Sequence, residues 1–242
     1  MATSNLQRFL DSVTPTVNLH MDDENPAERY FVISDLWKSL EETSAYGVPT
    51  EVVVPRGIKI QYFAPLLSAI QLYTKKPFCA TSSDSGTHNE MHNNEQGYLY
   101  FEYFETTPSE DGMPIVDKVR NLATNFAGLE SLRSTELSPA SWLAICWHNI
   151  YWIDEYQQIE NSQACFLTFH KLSPSLQDEL EVLSLRPFGL ATLKANGALW
   201  KNPETGDDVL AATLHDAAVT WLAERGVDQA RYRDSISFFP GR

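Results

Sequence analysis

Trp142-Leu-Ala-Ile-Cys-Trp-His-Asn-Ile-Tyr-Trp-Ile153 and Ala164-Cys-Phe-Leu-Thr-Phe-His-Lys-Leu172 decide the fold class. Both runs are rich in aromatic and β-branched residues, and both are far shorter than the ~18–20 apolar residues that span a bilayer. Trp142–Ile153 carries large side chains on both faces, as a strand covered on two sides does. A polar connection separates the two runs and predicts an antiparallel hairpin. Centring its loop near Gln158–Ile159 places His148 opposite His170 on one face.

Outward from this hairpin, the period-2 pattern continues. Glu51–Val54 and Ile58–Thr74 read as strands, with Pro65 demanding an edge or a bulge. Tyr98–Glu105 has apolar residues on both faces and reads as a central strand. Phe188–Trp200 holds Asn196-Gly197, a hairpin-turn signal.

Helices flank these strands. Ser4-Asn-Leu-Gln7 fits a capping box ahead of Leu6, Phe9, Leu10 and Val13. Ser34 is a cap candidate ahead of Leu36, Trp37 and Leu40, with Gly47 beyond the end. Pro114 suits a first helical position before Ile115, Val119, Leu122 and Phe126. Ser173-Pro174 opens a short pattern of Leu176, Leu180 and Leu183. Asp207 and Asp208 begin the strongest helix, which Arg225 and Gly226 close. Residues 14–28 and 75–97 read as mobile loops. The expectation is one α+β domain over 1–242, built on a largely antiparallel sheet of about five to seven strands with flanking helices.

Thirty-two acidic against eighteen basic residues give a formal charge of −14. That balance excludes a phosphate-backbone reader and attraction to anionic lipid, so neither nucleic acid nor membrane is an expected partner. The start of the chain has no secretory pattern, and Cys79, Cys146 and Cys165 have no metal-type spacing. A cytoplasmic or nuclear protein is expected. There is no phosphate-cradling glycine loop, nucleophile elbow or kinase signature, so no cofactor is expected.

Ten ordered segments carry a family likeness. They include Tyr30-Phe-Val-Ile-Ser-Asp-Leu-Trp37, Phe101-Glu-Tyr-Phe-Glu105, Ala164-Cys-Phe-Leu-Thr-Phe-His170 and Gly197-Ala-Leu-Trp200. Together they resemble the plant family catalogued as domain of unknown function 789, over nearly the whole chain. The resemblance implies no activity. Where relatives show Tyr-Pro before Ile150 and Arg after Tyr151, this chain has His148, Asn149 and Trp152. It thereby lacks a cation at that patch.

Few side chains carry candidate chemistry. His148 and His170, if adjacent, could share a proton or hold a metal, against the alternative of two hydrogen-bonded sheet residues. His88 and His92 are four apart but lack the rest of a zinc-helix pattern, and no metal is expected. Glu102 and Glu105 sit among aromatics, where a carboxyl could act as a general acid or simply pair. Trp142, Trp147 and Trp152 are candidate binding residues, with Trp142 and Trp152 expected on one face. The leading expectation is a binding or regulatory protein acting through protein contacts. The alternative is an enzyme or small-molecule binder with an aromatic-lined pocket, with His148 or His170 as base and Glu102 or Tyr151 orienting substrate.

Overall fold

A computed structural model of the chain describes residues 4–23, 25, 28–77, 96–105, 113–152, 164–173, 181–195 and 197–227, with the backbone alone at 150–152 and 198. The first half contains α1 (Asn5–Ser12), β1 (Thr16–Asn18), β2 (His20–Met21), β3 (Arg29–Tyr30), α2 (Ile33–Ser39), α3 (Glu41–Tyr46), β4 (Val48–Val54), β5 (Gly57–Thr74) and β6 (Tyr98–Phe104). The second contains α4 (Ile115–Ala123), α5 (Gly128–Ser131), β7 (Trp142–Trp152), β8 (Cys165–Lys171), β9 (Val182–Ser184), β10 (Gly189–Lys194), α6 (Gly197–Trp200) and α7 (Asp207–Glu224).

The main sheet has six strands, all paired antiparallel, in the order β10-β8-β7-β5-β4, with β6 also on β5. The expected α+β architecture is therefore present. β5 organises the sheet. β7 runs along one side of it, while β4 pairs as far as Phe63 and β6 begins at Ala69. Pro65 falls in the gap between β4 and β6, opposite Trp147 on β7. A residue without an N–H is tolerated there inside an otherwise central strand. β6, expected to be central, has β5 as its strand partner among the described residues.

Two bulges set which side chains meet. The β5–β7 register shifts between Leu67 and Ala69, so one face takes Phe63 and Leu67 before the shift and Ile70 and Leu72 after it. That face packs under α1, α2, α4 and α5 around Phe9, Leu36, Val119 and Trp147. The opposite face holds Ala69, Trp142, Ala144, Cys146, Leu167 and Phe169. α7 serves both faces. Its Ala211 joins the first cluster, and its Ala218 and Leu222 join the second. Where it crosses β10, a Cβ on Gly189 would lie 2.8 Å from that of Ala218, so close approach requires glycine.

Several local expectations shift. The Ser4 hydroxyl does cap α1, accepting from the Gln7 amide at 3.1 Å, but the Gln7 side chain donates to Asp11 instead of reaching back. The second helix starts two residues earlier than Ser34 implies, with Val32 at the N-cap position and the Asp35 carboxylate accepting from the Val32 amide at 3.0 Å. Residues 16–18 and 20–21 are strands within the expected 14–28 loop, pairing with β9 and β3. Leu183 belongs to β9 and not to a helix, and residues 174–180 lie outside the described set. Asn196-Gly197 does not turn a hairpin: α6 starts at Gly197 and brings Trp200 onto the core.

The β4–β5 hairpin turns through Pro55-Arg56. Pro55 cannot adopt the positive φ of a primed turn, and Gly57, at φ 128°, absorbs the mismatch. β4 ends the sheet, yet its edge is blunted. Asn5 donates from Nδ2 to the Val53 carbonyl at 2.8 Å, and its Oδ1 accepts from the Val53 amide at 2.7 Å. Further along the same strand, Pro49 has no N–H to offer. Asn5→Ala is expected to cost about 1–3 kcal/mol in a urea titration, the range for stranding partly buried hydrogen-bonding groups. It should also raise light scattering on concentration, because it reopens a strand edge.

Candidate functional site

The two histidines do not meet. In the β7–β8 ladder His148 lies opposite Cys165 and His170 opposite Leu143, five positions from the expected register. An odd offset exchanges faces. His170 therefore joins the Leu143–Ile145–Trp147 side, and His148 joins the Cys146–Cys165 side. The shared-proton and shared-metal arrangements weighed for this pair are not formed.

His170 is sealed inside a complete network. The Trp147 indole donates to Thr168 Oγ1 at 2.9 Å, and Thr168 Oγ1 lies 2.8 Å from His170 Nε2. His170 Nδ1 is 2.7 Å from the Leu185 carbonyl, which can only accept. Nδ1 must therefore carry the proton and Nε2 accept from Thr168. Burial pushes the imidazole down to about 4, against the opposing pull of the Leu185 carbonyl. A neutral ring with both nitrogens engaged is a structural element, with no lone pair left for a substrate.

His148 is half-buried, and burial lowers its pKa despite a hydrogen bond to the Ala64 backbone. Among the described residues its Nδ1 has no partner, as is true of Asn149 Oδ1 next in sequence. On the same face the Cys146 and Cys165 sulfurs lie 3.4 Å apart as free thiols. Contact with Cys165, then burial, raises the Cys146 thiol well above its ordinary value, which makes it a poor nucleophile. Among the described residues, no group of three or more His, Cys, Asp or Glu side chains is placed to hold a metal. His88 and His92 lie outside those residues.

Glu102 and the tryptophans depart from expectation through burial. Glu102 is exposed, at the open end of a row in which the Trp142 indole donates to Gln71 Oε1 at 2.7 Å and Gln71 Nε2 donates to Glu102 at 2.6 Å. The carboxylate thus anchors a tryptophan and is not enclosed by aromatics. Glu105 accepts from the Tyr103 hydroxyl and pairs with Lys118 at 3.4 Å. Burial and this carboxylate together push the Tyr103 phenol far upward. Trp142 and Trp147 are fully buried, so neither offers a binding surface. The backbones of Tyr151 and Trp152 pair with Tyr62 and Gln61 past a second register shift. Their side chains lie outside the described part.

Sequence reasoning missed two surface features. On the outer face of the β4–β5 hairpin, Val53, Ile58 and Ile60 are 45%, 61% and 49% exposed, and Val53 faces Ile58 directly. Alternation within 51–60 contained that signal, since Val53, Ile58 and Ile60 occupy the positions out of phase with buried Val52. Near the other end of the sheet, Trp221 carries two cations on its ring. The Lys171 ammonium is 4.6 Å and the Arg225 guanidinium carbon 3.1 Å from its centroid. No sequence spacing announced that meeting of β8 with the end of α7. No described helix is long and apolar enough to cross a membrane.

A family model described as a protein of unknown function, DUF789, matches residues 4–92 and 78–238, nearly the whole chain. No curated protein and no solved structure matches.

Proposed function

We propose, on the premise that this chain belongs to the DUF789 family of proteins of unknown function, that it is a binding protein acting through protein contacts at the β4–β5 hairpin. The observation that carries the reading is the apolar face formed by Val53, Ile58 and Ile60. Three adjoining aliphatic side chains in water have no role in this chain's own core, whereas a partner could bury them at roughly 25 cal/mol per Å2. Asn5 closes the backbone edge at Val53, so a partner meets the side-chain face and does not extend the sheet.

The hairpin's charges narrow the partner. Glu51 is engaged by Arg8 at 2.7 Å, while Arg56 is exposed and has no described ion pair. The matching surface is apolar with a carboxylate beside it. A second copy of this chain is a poorer match, since each copy brings a formal charge of −14. The catalytic alternative has less support: His148 and His170 lie on opposite faces, and His170 has no free nitrogen.

Protein isolated from its native cells is expected to carry a stoichiometric companion that Ile58→Glu releases. The affinity loss should be about 30-fold, the scale of one hot-spot residue. The variant's urea midpoint should barely move, because Ile58 is exposed. Retention of the companion by the variant overturns the reading, as does sedimentation showing a homodimer through this face.

A further inference from the structure

Around Trp221 lie hydrogen-bond donors that lack acceptors. The Trp221 Nε1 and Arg225 Nε atoms are both buried without a hydrogen-bond partner among the described residues. The Lys171 ammonium, on an exposed residue, contacts the Trp221 ring and, at 5.5 Å, that of Phe188, and has no ion pair among the described residues. The Lys171 ammonium and the Arg225 guanidinium carbon are 4.6 Å and 3.1 Å from one ring centroid, so they are at most about 8 Å apart. In a chain of formal charge −14, two cations sharing one indole call for an account.

Part of the arrangement is structural. Arg225 Nη1 donates to the Trp221 carbonyl at 3.3 Å, closing the last turn of α7, and approaches the mostly exposed Glu224 at 3.6 Å. Cation–π contact stabilises both positive groups. Neither contact supplies an acceptor to Arg225 Nε, to Trp221 Nε1 or to Lys171. The carboxylate in the same sheet row, Glu102, stands three strands from Lys171 in the sequence Glu102–Gln71–Trp142–Lys171. Three strand spacings are roughly 14 Å, beyond effective neutralisation. Tyr73, which faces Arg225, is pushed up to about 12 by burial and by Glu102, and so remains a neutral phenol.

We infer that Lys171, Trp221 and Arg225 form a binding site for a phosphate group, free or as a monoester, entered from the exposed Lys171 side. Every unfilled group in the cluster is a donor, so the missing partner is an acceptor. Two cations and two unfilled N–H groups suit a dianion with several oxygens better than a single carboxylate. The site is independent of the hairpin surface. Ile58 and Gln71 are thirteen residues apart on β5, or about 40 Å along the strand, so either reading can fail alone.

The test uses the full chain and NMR of the Arg225 Nε–H and Trp221 Nε1–H groups during titration with inorganic phosphate, glycerol phosphate, acetate and chloride at matched ionic strength. Saturable shifts of both resonances with either phosphate compound are expected. Tighter binding of the ester would identify an esterified ligand, and equal or tighter binding of inorganic phosphate the free ion. Lys171→Met, an exposed substitution that leaves the fold intact, should weaken binding at least tenfold, as loss of a charge-assisted hydrogen bond does. Arg225→Gln should do the same. Equal shifts with chloride, a preference for acetate, or unchanged affinity in Lys171→Met would each overturn the proposal.

Discussion

Acidification from pH 7 to pH 4 is expected to remove about 3 kcal/mol of stability through one residue, His170. In the unfolded chain its imidazole binds a proton near pH 6.5. In the folded chain burial delays protonation to about pH 4. Between those values the unfolded state holds the extra proton, so stability falls as the pH falls. Above 6.5 the residue contributes no slope, and below 4 the loss is complete. Urea midpoints at a series of pH values check this when wild type is compared with His170→Gln. The variant lacks this component, while carboxylates and His148 contribute to both proteins and cancel in the difference. Identical pH slopes for the two proteins would refute the assignment. Thr168→Val should also destabilise at pH 7, because it strands the Trp147 indole and His170 Nε2 together.

The same residue shows what could and could not be read from sequence. Alternating apolar residues in Trp142–Ile153 and Ala164–Leu172 identified both strands and their antiparallel pairing, because burial on two faces leaves that mark. Alternation fixes the period and not the offset. The connection between the strands determines the offset, and its length permits several. A slip of five positions was therefore invisible, and being odd it sent His148 and His170 to different faces. The bulge between Leu67 and Ala69 was hidden for a related reason: the extra residue, Ser68, is small and buried, and a single serine between apolar neighbours does not mark a bulge.

For Glu102 the sequence left a general acid and a simple pairing open, and it pairs with Gln71. Its neighbours in sequence are aromatic, but β6 has β5 as its described strand partner, and the Glu102 position opens to solvent. Enclosure is a tertiary property that sequence neighbours do not determine. Trp142 and Trp147, candidate binding residues by sequence, are core residues and form no aromatic surface. Their indole N–H groups found acceptors, Gln71 and Thr168, inside the sheet. A buried tryptophan with its polar atom satisfied has little left to offer a partner. The candidate surfaces came instead from residues whose groups remain unfilled.

The largest single loss of stability is expected from Phe166→Ala, at about 3–5 kcal/mol. Phe166 is fully buried and packs against Phe9 of α1 at 4.3 Å, Trp200 of α6 at 5.1 Å and Phe63 of β5 at 6.0 Å between ring centroids. Removing its ring opens a cavity that α1, α6 and β5 line and cannot all close. The Arg8–Glu51 ion pair between α1 and β4, exposed on the Glu51 side, contributes at most about 1 kcal/mol. Ring packing therefore outweighs this ion pair in holding α1 and α6 to the sheet, with the Asn5–Val53 hydrogen bonds tying α1 to the edge strand beside it. This cluster also accounts for the turn that Asn196-Gly197 did not make. The gain from seating Trp200 against Phe9, Phe63 and Phe166 exceeds the local hairpin preference, which is worth no more than about 1 kcal/mol. A double-mutant cycle on Phe9→Leu and Phe166→Leu should show coupling of about 0.5–1.5 kcal/mol, since tilted rings this close interact beyond their buried area. Phe166→Ala should also shift tryptophan emission to the red as Trp200 gains water. Full additivity with an unshifted spectrum would mean that α1 and α6 are held elsewhere.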